Sequence, residues 1–360
     1  MNIEIVASGH VTRDDAAFPT LAILGDGSLL CAYTAKGDGP NAIGGTECSR
    51  STDGGYTWEY QGIILPRAED PVAVNSLRIS RSSAGRLYAY GERTYLTGAG
   101  RERDFRNDVR EPVFCVSDDD GLSWSSPAVI PTALARGYEI SNPMLCMGND
   151  RLLAPAALLP DEEHLGEKVV LFESPDGGKS WPNHIVMLSD PEGKKGFFEQ
   201  KVIDLGDGRL LAAAWTVILG EYSDLENHFA WSSDYGKSWS VPRPMGVRGQ
   251  TLTPHLLGYD GKGNCRLLCL SNRRYGDQGV VAYLVTASEN SSRVELETMV
   301  WDAKMSRDRA TEKSSGIDAF DDFAFGLPSA ISLGDDSYLA VHWCREEGVF
   351  GIRWTRLRIE

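Results

Sequence analysis

Long apolar runs, an excess of basic charge, paired cysteines and helical periodicity are all missing from this sequence of 360 residues. No stretch approaches the roughly 18 consecutive apolar residues that cross a bilayer, so no membrane helix is expected. The start, MNIEIVASGH, has neither a basic nor an apolar leader segment, and no secretory signal is expected. Lys and Arg number 36 against 51 Asp and Glu, a formal net charge of −15. A general nucleic-acid binder needs the opposite sign to neutralise phosphates. Anionic membrane surfaces repel such a chain for the same reason. The seven cysteines are odd in number, scattered, and without a CxxC pair, which makes a poor disulfide framework. Most lie inside apolar runs and read as small buried hydrophobes. With no leader, this points to a reducing cytoplasm. Phosphate loops, HExxH and GxSxG are absent, and the six histidines lack ligand spacing. No cofactor and no metal are expected. At 42 % hydrophobic and 24 % charged residues, composition is ordinary for a globular chain and excludes wholesale disorder.

What the sequence does contain is a repeat. The pattern Ser-x-Asp-x-Gly-x-Ser/Thr-Trp occurs four times, as STDGGYTW, SDDDGLSW, SPDGGKSW and SSDYGKSW. Its tryptophans, Trp58, Trp124, Trp181 and Trp239, are 66, 57 and 58 residues apart. The Asp and Ser side chains can bond nearby backbone N–H groups, and Gly supplies positive φ, so the motif predicts a tight turn. The Trp then buries a large apolar face beneath it. Each copy follows an apolar run such as VFCV, VVLFE or HFAW, which places it between two strands.

Between copies, an apolar strand, a Gly/Asp turn and a second apolar strand recur, as in TLAIL-GDG-SLLCAY and KVIDL-GDG-RLLAAAW. The unit is therefore four strands, A to D, with the Asp motif between C and D. Such units are propeller blades. Six A–B hairpins are expected, near residues 20–33, 76–90, 143–158, 200–215, 254–270 and 328–343. The last two units lack the motif, and the chain ends on strand C of the sixth. The leftover strand NIEIVAS would complete that unit and remove its open edge. The expected fold is all-β: a six-bladed β-propeller of four-stranded antiparallel blades, one domain over residues 1–360, its N-terminal strand closing the last blade.

The four Asp boxes resemble those of the sialidase (neuraminidase) superfamily, and the resemblance covers essentially the whole chain. It implies a propeller whose active site lies on the face opposite the Asp-box turns, where strand A begins and strand B ends. Strand-A entries supply Arg13, Asn75, Arg78, Asn142, Glu199, His255, Asp321 and Asp322. Strand-B exits supply Glu92, Arg93, Trp215, Arg273, Arg274 and Trp343. Arginines gather there in an otherwise acidic chain, and the guanidinium fork fits planar oxyanions. The loop arginines Arg101, Arg103, Arg106 and Arg110 can equally pair with Asp104, Asp108 and Glu111 beside them. Arg13, Arg78, Arg93 and Arg273 are candidates to hold an anionic group, with Asn75, Glu92 and Asn142 beside them. Trp215 and Trp343 could stack on sugar rings or belong to the core.

Glycosidic cleavage usually needs two carboxyl groups. Glu199, in FFEQKVIDLGDG, matches the family glutamate that polarises a tyrosine nucleophile. Asp321 and Asp322, between aromatics in AFDDFAFGLPSA, are placed to have raised pKa values and serve as acid. His255 is a candidate base or a structural histidine. The sequence departs from the family at four positions, one of them the acid Asp of the unit-one B–C loop, which has no clear match and Asp38 as its nearest residue. Ala16, Ala17, Phe18 and Pro19 stand where a Phe-Arg-Ile-Pro motif is expected. Trp215 replaces a second arginine. Gly326-Leu327-Pro328 replaces the tyrosine region. The expected function is a glycoside hydrolase that removes a terminal acidic sugar from a glycan or oligosaccharide. A non-catalytic glycan-binding propeller, a divergent true exo-sialidase and a uronate lyase are the alternatives.

Overall fold

The computed structural model describes residues 2–36, 44–97, 108–305, 323–334 and 336–360. It forms six antiparallel sheets, the blades of a six-bladed β-propeller. Compactness divides the chain into two units. One runs over Met1–Tyr138 and Phe323–Glu360, the other over Glu139–Met305.

The first unit holds blades one, two and six. Blade one is Ala16–Ile23, Leu29–Ala35, Thr46–Ser51 and Glu59–Leu65. Blade two is Val72–Arg81, Leu87–Tyr95, Val109–Ser117 and Ala128–Val129, with the short Ala68–Glu69 added beside its first strand. Blade six is Phe325–Gly334, Ser337–Glu346 and Val349–Ile359, and its fourth strand is the N-terminal Ile3–Thr12. Ile3 pairs with Ile359 and Thr12 with Ile352, so the leftover strand does complete the last blade.

The second unit holds the other three. Blade three has Leu152–Leu159, Lys168–Ser174 and Asn183–Ser189. In place of one long first strand near residue 145 it has two short pieces beside Leu152–Leu159, Gly137–Glu139 and Leu145–Cys146. Pro143, just before the second piece, has no N–H for a ladder. The following turn places Asn149 and Asp150 at φ 49° and 58°, the left-handed pair that tight hairpins use. Blade four is Lys195–Gly206, Arg209–Ile218, His228–Ser232 and Arg243–Pro244. Blade five is Leu252–Tyr259, Cys265–Arg273, Gly279–Ser288 and Ser291–Asp302.

The second strand of blade one, Leu29–Ala35, is buried on both faces, because blades two and six pack on the two sides of that blade. Apolar residues of facing sheets form the core. Between blades four and five, Leu211, Phe229 and Trp231 meet Leu267, Cys269 and Tyr283. The last strand of blade five alternates instead, with Arg293, Glu295 and Glu297 exposed and Val294 and Leu296 between them. Six of the seven free cysteines are buried, as their apolar contexts predict. Burial pushes the Cys48 thiol up to about 12 and Cys115 to about 11, which keeps them protonated.

The Asp boxes form the expected turns. In the fourth, the Ser232 hydroxyl donates to Asp234 at 2.8 Å and accepts from the Gly236 N–H at 2.9 Å. The second Asp234 oxygen accepts from the Ser238 hydroxyl at 2.5 Å. Trp239 donates its indole N–H to the Gly236 carbonyl at 3.1 Å. These hydrogen bonds pull Asp234 down to about 2 against the opposing effect of burial.

One irregularity recurs in the first strands of three blades. Register shifts lie between Ala17 and Thr20, between Phe198 and Lys201, and between Gly326 and Ser329. Each leaves two residues bulged, Phe18-Pro19, Glu199-Gln200 and Leu327-Pro328. The first of each pair has positive φ: 56° at Phe18, 46° at Glu199 and 42° at Leu327. For non-glycine residues this costs about 1–2 kcal/mol. A bulge re-aims the side chain it carries, and Glu199 is the carboxylate among the three.

Candidate active site

The Glu199 bulge in blade four is held from the start of blade three. The Glu199 N–H donates to the Glu139 carboxylate at 3.0 Å. The other Glu139 oxygen accepts from the Ser141 hydroxyl. Gln200, fully buried, donates its side-chain amide to the Glu139 carbonyl at 3.2 Å. The Lys201 ammonium donates to the Ser141 carbonyl. Asn142 accepts from the Val202 N–H at 3.3 Å and donates to the Pro143 carbonyl at 2.9 Å. These bonds satisfy backbone groups that the bulge removes from the ladder. They fix the Glu199 backbone, and they occupy Asn142 as a strap.

Beside Glu199 lies a cluster built from blades four and five. Arg274, just past the strand Cys265–Arg273, is buried and donates to the Gln250 side-chain oxygen at 2.7 Å. Gln250 is itself fixed: its N–H donates to the Asn272 carbonyl, and its own carbonyl accepts from the Asn272 side chain, both at 3.0 Å. The Gln250 amide nitrogen reaches Asp224 at 3.2 Å. The second Asp224 oxygen accepts the Trp215 indole N–H at 2.8 Å. Asp224 lies on the connection from Arg209–Ile218 to His228–Ser232, pinned by a bridge to Val217. Arg248 stacks over the Tyr275 ring at 4.8 Å and accepts that tyrosine's hydroxyl proton through its carbonyl.

The electrostatics of the cluster are coupled. Burial pulls Arg274 down to about 10, and the Glu199 and Asp224 carboxylates resist the pull, so Arg274 remains cationic at neutral pH. Burial pushes Asp224 above the usual carboxylate range; Trp215, Gln250, Arg248 and Arg274 oppose it. Two carboxyl groups therefore share one buried guanidinium, and that arrangement can hold an anion, orient a hydroxyl or move a proton.

Arg273 goes elsewhere. It pairs with Glu297 at 2.5 Å and donates to the Asp277 carbonyl at 2.8 Å, on the outer side of blade five. Trp215 is buried, tilted against Phe198 at 5.7 Å. Its polar edge serves Asp224. His255 lies on the first strand of blade five opposite Leu268, and burial pushes it down to about 4.

The remaining sequence candidates lie in the first unit. Arg78 is buried, bonded to the Ser76 hydroxyl at 2.7 Å, with its guanidinium 5.4 Å from the centre of the Phe18 ring. Phe18 meets Trp343 edge-on at 5.9 Å, and Trp343, 1 % exposed, packs on Phe350. Asn75 is buried between the Thr46 hydroxyl and the Pro66 carbonyl. Arg93 pairs with Glu111, which also accepts the Tyr95 hydroxyl. Glu92 is half-buried and Arg13 exposed. Asp321 and Asp322 lie outside the described residues. Among the described residues, no three His, Cys, Asp or Glu side chains gather as a metal site requires, and no helix is long and apolar enough to cross a membrane.

Sequence reasoning missed Asp224, Gln250 and the inward role of Arg274. A signal for Asp224 existed in its place on a B–C connection, the class of loop that the resemblance assigns to the active face. Arg274 was visible as a strand-B exit, next to the arginine singled out.

No family model matches the sequence, and no curated protein matches it. Solved structures do. A protein of unknown function from Dyadobacter fermentans superposes with a TM-score of 0.75 at 18 % identity, over 99 % of both chains. The NanB sialidase of Streptococcus pneumoniae gives 0.63 at 12 % identity, over 99 % of this chain and 70 % of its own. The intramolecular trans-sialidase of Ruminococcus gnavus gives 0.63 at 12 % identity, over 98 % of this chain and 96 % of its own. At these identities the likeness establishes the architecture: the chain is a six-bladed β-propeller structurally related to sialidase-fold proteins.

Proposed function

We propose that the chain is a glycoside hydrolase that removes a terminal acidic sugar from a glycan or oligosaccharide. The observation that carries this reading is Glu199, on a bulge braced by Glu139, within the electrostatic reach of the buried Arg274. Glu199 acts at the reacting carbon, as nucleophile, base or activator of the nucleophile. Arg274 holds the anionic group of the sugar, and Arg248 with Tyr275 lines the approach. The superfamily relationship of the fold supports the class of reaction, while the chemistry rests on these side chains.

The test is a screen of purified protein against chromogenic α-sialosides, uronides and neutral glycosides, run beside Glu199→Gln. Release from an acidic substrate, reduced at least about 100-fold in the variant, supports the reading. Full activity in Glu199→Gln removes that residue from the chemistry. Silence of the folded protein across the panel, with glycan binding retained, assigns the fold to recognition instead.

A further inference from the structure

We propose that Asp224 is the general acid of this site, the group that protonates the departing oxygen. The inference rests on the glycosidase reading and supplies the second carboxyl group that such chemistry needs beside Glu199. Three observations converge on it. First, Asp224 belongs to blade four, as Glu199 does, and both carboxylates act on the same buried Arg274. Second, both Asp224 oxygens are held by neutral donors, the Trp215 indole at 2.8 Å and the Gln250 amide at 3.2 Å. The Gln250 amide cannot flip, because its oxygen accepts from Arg274. The carboxyl group is thus oriented and still able to keep a proton. Third, Asp224 is half-buried: enclosed enough to favour the protonated form and open enough to meet a substrate.

The position is informative. Trp215 stands where the resemblance expects an arginine. An arginine there would hold a carboxylate ionised, whereas an indole orients Asp224 without adding charge. The charged and titratable groups around Asp224 are Arg248, Arg274, Tyr275 and, through Arg274, Glu199.

In the forward step a proton leaves an Asp224 oxygen for the glycosidic oxygen. The bond from the anomeric carbon to that oxygen breaks, and its electron pair stays on the departing alcohol. The glycosyl group is held meanwhile by Glu199 or by the nucleophile that Glu199 activates. In the return step the Asp224 carboxylate takes a proton from water, the hydroxyl of that water adds to the anomeric carbon, and the bond to the holding group breaks. One water is consumed and the enzyme is restored.

Leaving-group dependence tests the assignment. Asp224→Asn is compared with wild type on the sugar that wild type releases, carried once on an alkyl or saccharide leaving group and once on dinitrophenol. Dinitrophenolate departs without a proton. The expected result is a loss in kcat/KM of about 100-fold or more on the first substrate and less than about 10-fold on the second. Equal losses on both, or no loss, overturn the assignment while leaving the glycosidase reading intact. A wild type that cleaves neither substrate overturns both. If Asp224→Asn does not fold, Trp215→Phe decides. Removing the indole donor from the carboxylate should move the alkaline limb of the pH–rate profile upward on the alkyl substrate alone. An unmoved limb overturns the assignment.

Discussion

Arg273 and Arg274 are chain neighbours that serve opposite sides of blade five. Arg273 pairs outward with Glu297 at 2.5 Å, and Arg274 turns inward to Gln250 at 2.7 Å. Replacing either with methionine keeps the bulk and removes the charge, with different expected outcomes. Arg273→Met loses a partly solvated pair and should cost less than about 1 kcal/mol, with turnover unchanged. Arg274→Met leaves Glu199 and Asp224 without their shared cation. It should cost about 3 kcal/mol and raise KM for an acidic glycoside at least about 10-fold. Urea unfolding and steady-state kinetics on the two variants check this. Equal behaviour would remove Arg274 from the site.

That pair also shows where the sequence stops being legible. The Asp boxes could be read because Ser232, Asp234, Gly236, Ser238 and Trp239 satisfy one another within eight residues. The blade count could be read because the A–B hairpins are equally local. Arg273 and Arg274 could not be told apart, because the strand leading to them is buried on both faces from Leu267 to Asn272 and that run carries no alternation. Asp224 was hidden for a related reason. Its environment is assembled from Trp215 in its own blade and from Gln250 and Arg274 in the next. Nothing in GEYSDLENH announces those partners. The bulge at Glu199 was equally invisible: its backbone is fixed by Glu139, sixty residues earlier.

The positive φ of Glu199, 46°, makes a backbone prediction separable from chemistry. In an ordinary strand, glycine is less stable than alanine. At this bulge the order should reverse, with Glu199→Gly more stable than Glu199→Ala by about 1 kcal/mol, because glycine alone adopts the left-handed region without strain. Both variants should be inactive. Chemical denaturation of the two decides it, and alanine proving the more stable would mean that the bulge relaxes when the carboxylate is removed.

Ser232 probes the Asp-box turn. Its hydroxyl is buried and accepts from the Gly236 N–H while donating to Asp234. Ser232→Ala strands a buried N–H and should cost about 1–3 kcal/mol, whereas Ser232→Thr keeps the oxygen and should recover part of that loss. Thermal unfolding measures both. A neutral Ser232→Ala would show that the Asp234 bonds hold the turn alone.

Two histidines should make the fold acid-sensitive well above the carboxylate range. Burial pushes His255 down to about 4. Burial, helped by Arg353 and His10, pushes His342 down to about 3. Well above pH 6.5 both are neutral, folded or unfolded, and their contribution is constant. Below it the unfolded chain takes up protons that the folded chain refuses. Stability therefore falls with decreasing pH, by about 1.4 kcal/mol per pH unit for each histidine. The loss should level off near pH 4 for His255 and continue toward pH 3 for His342. Urea unfolding at pH 7, 5.5 and 4.5 gives the slope for wild type, and His255→Gln should lower that slope by close to one proton. A variant as steep as wild type would mean that His255 accepts its proton in the folded state, and that water reaches the Nε2 atom that has no hydrogen-bond partner here.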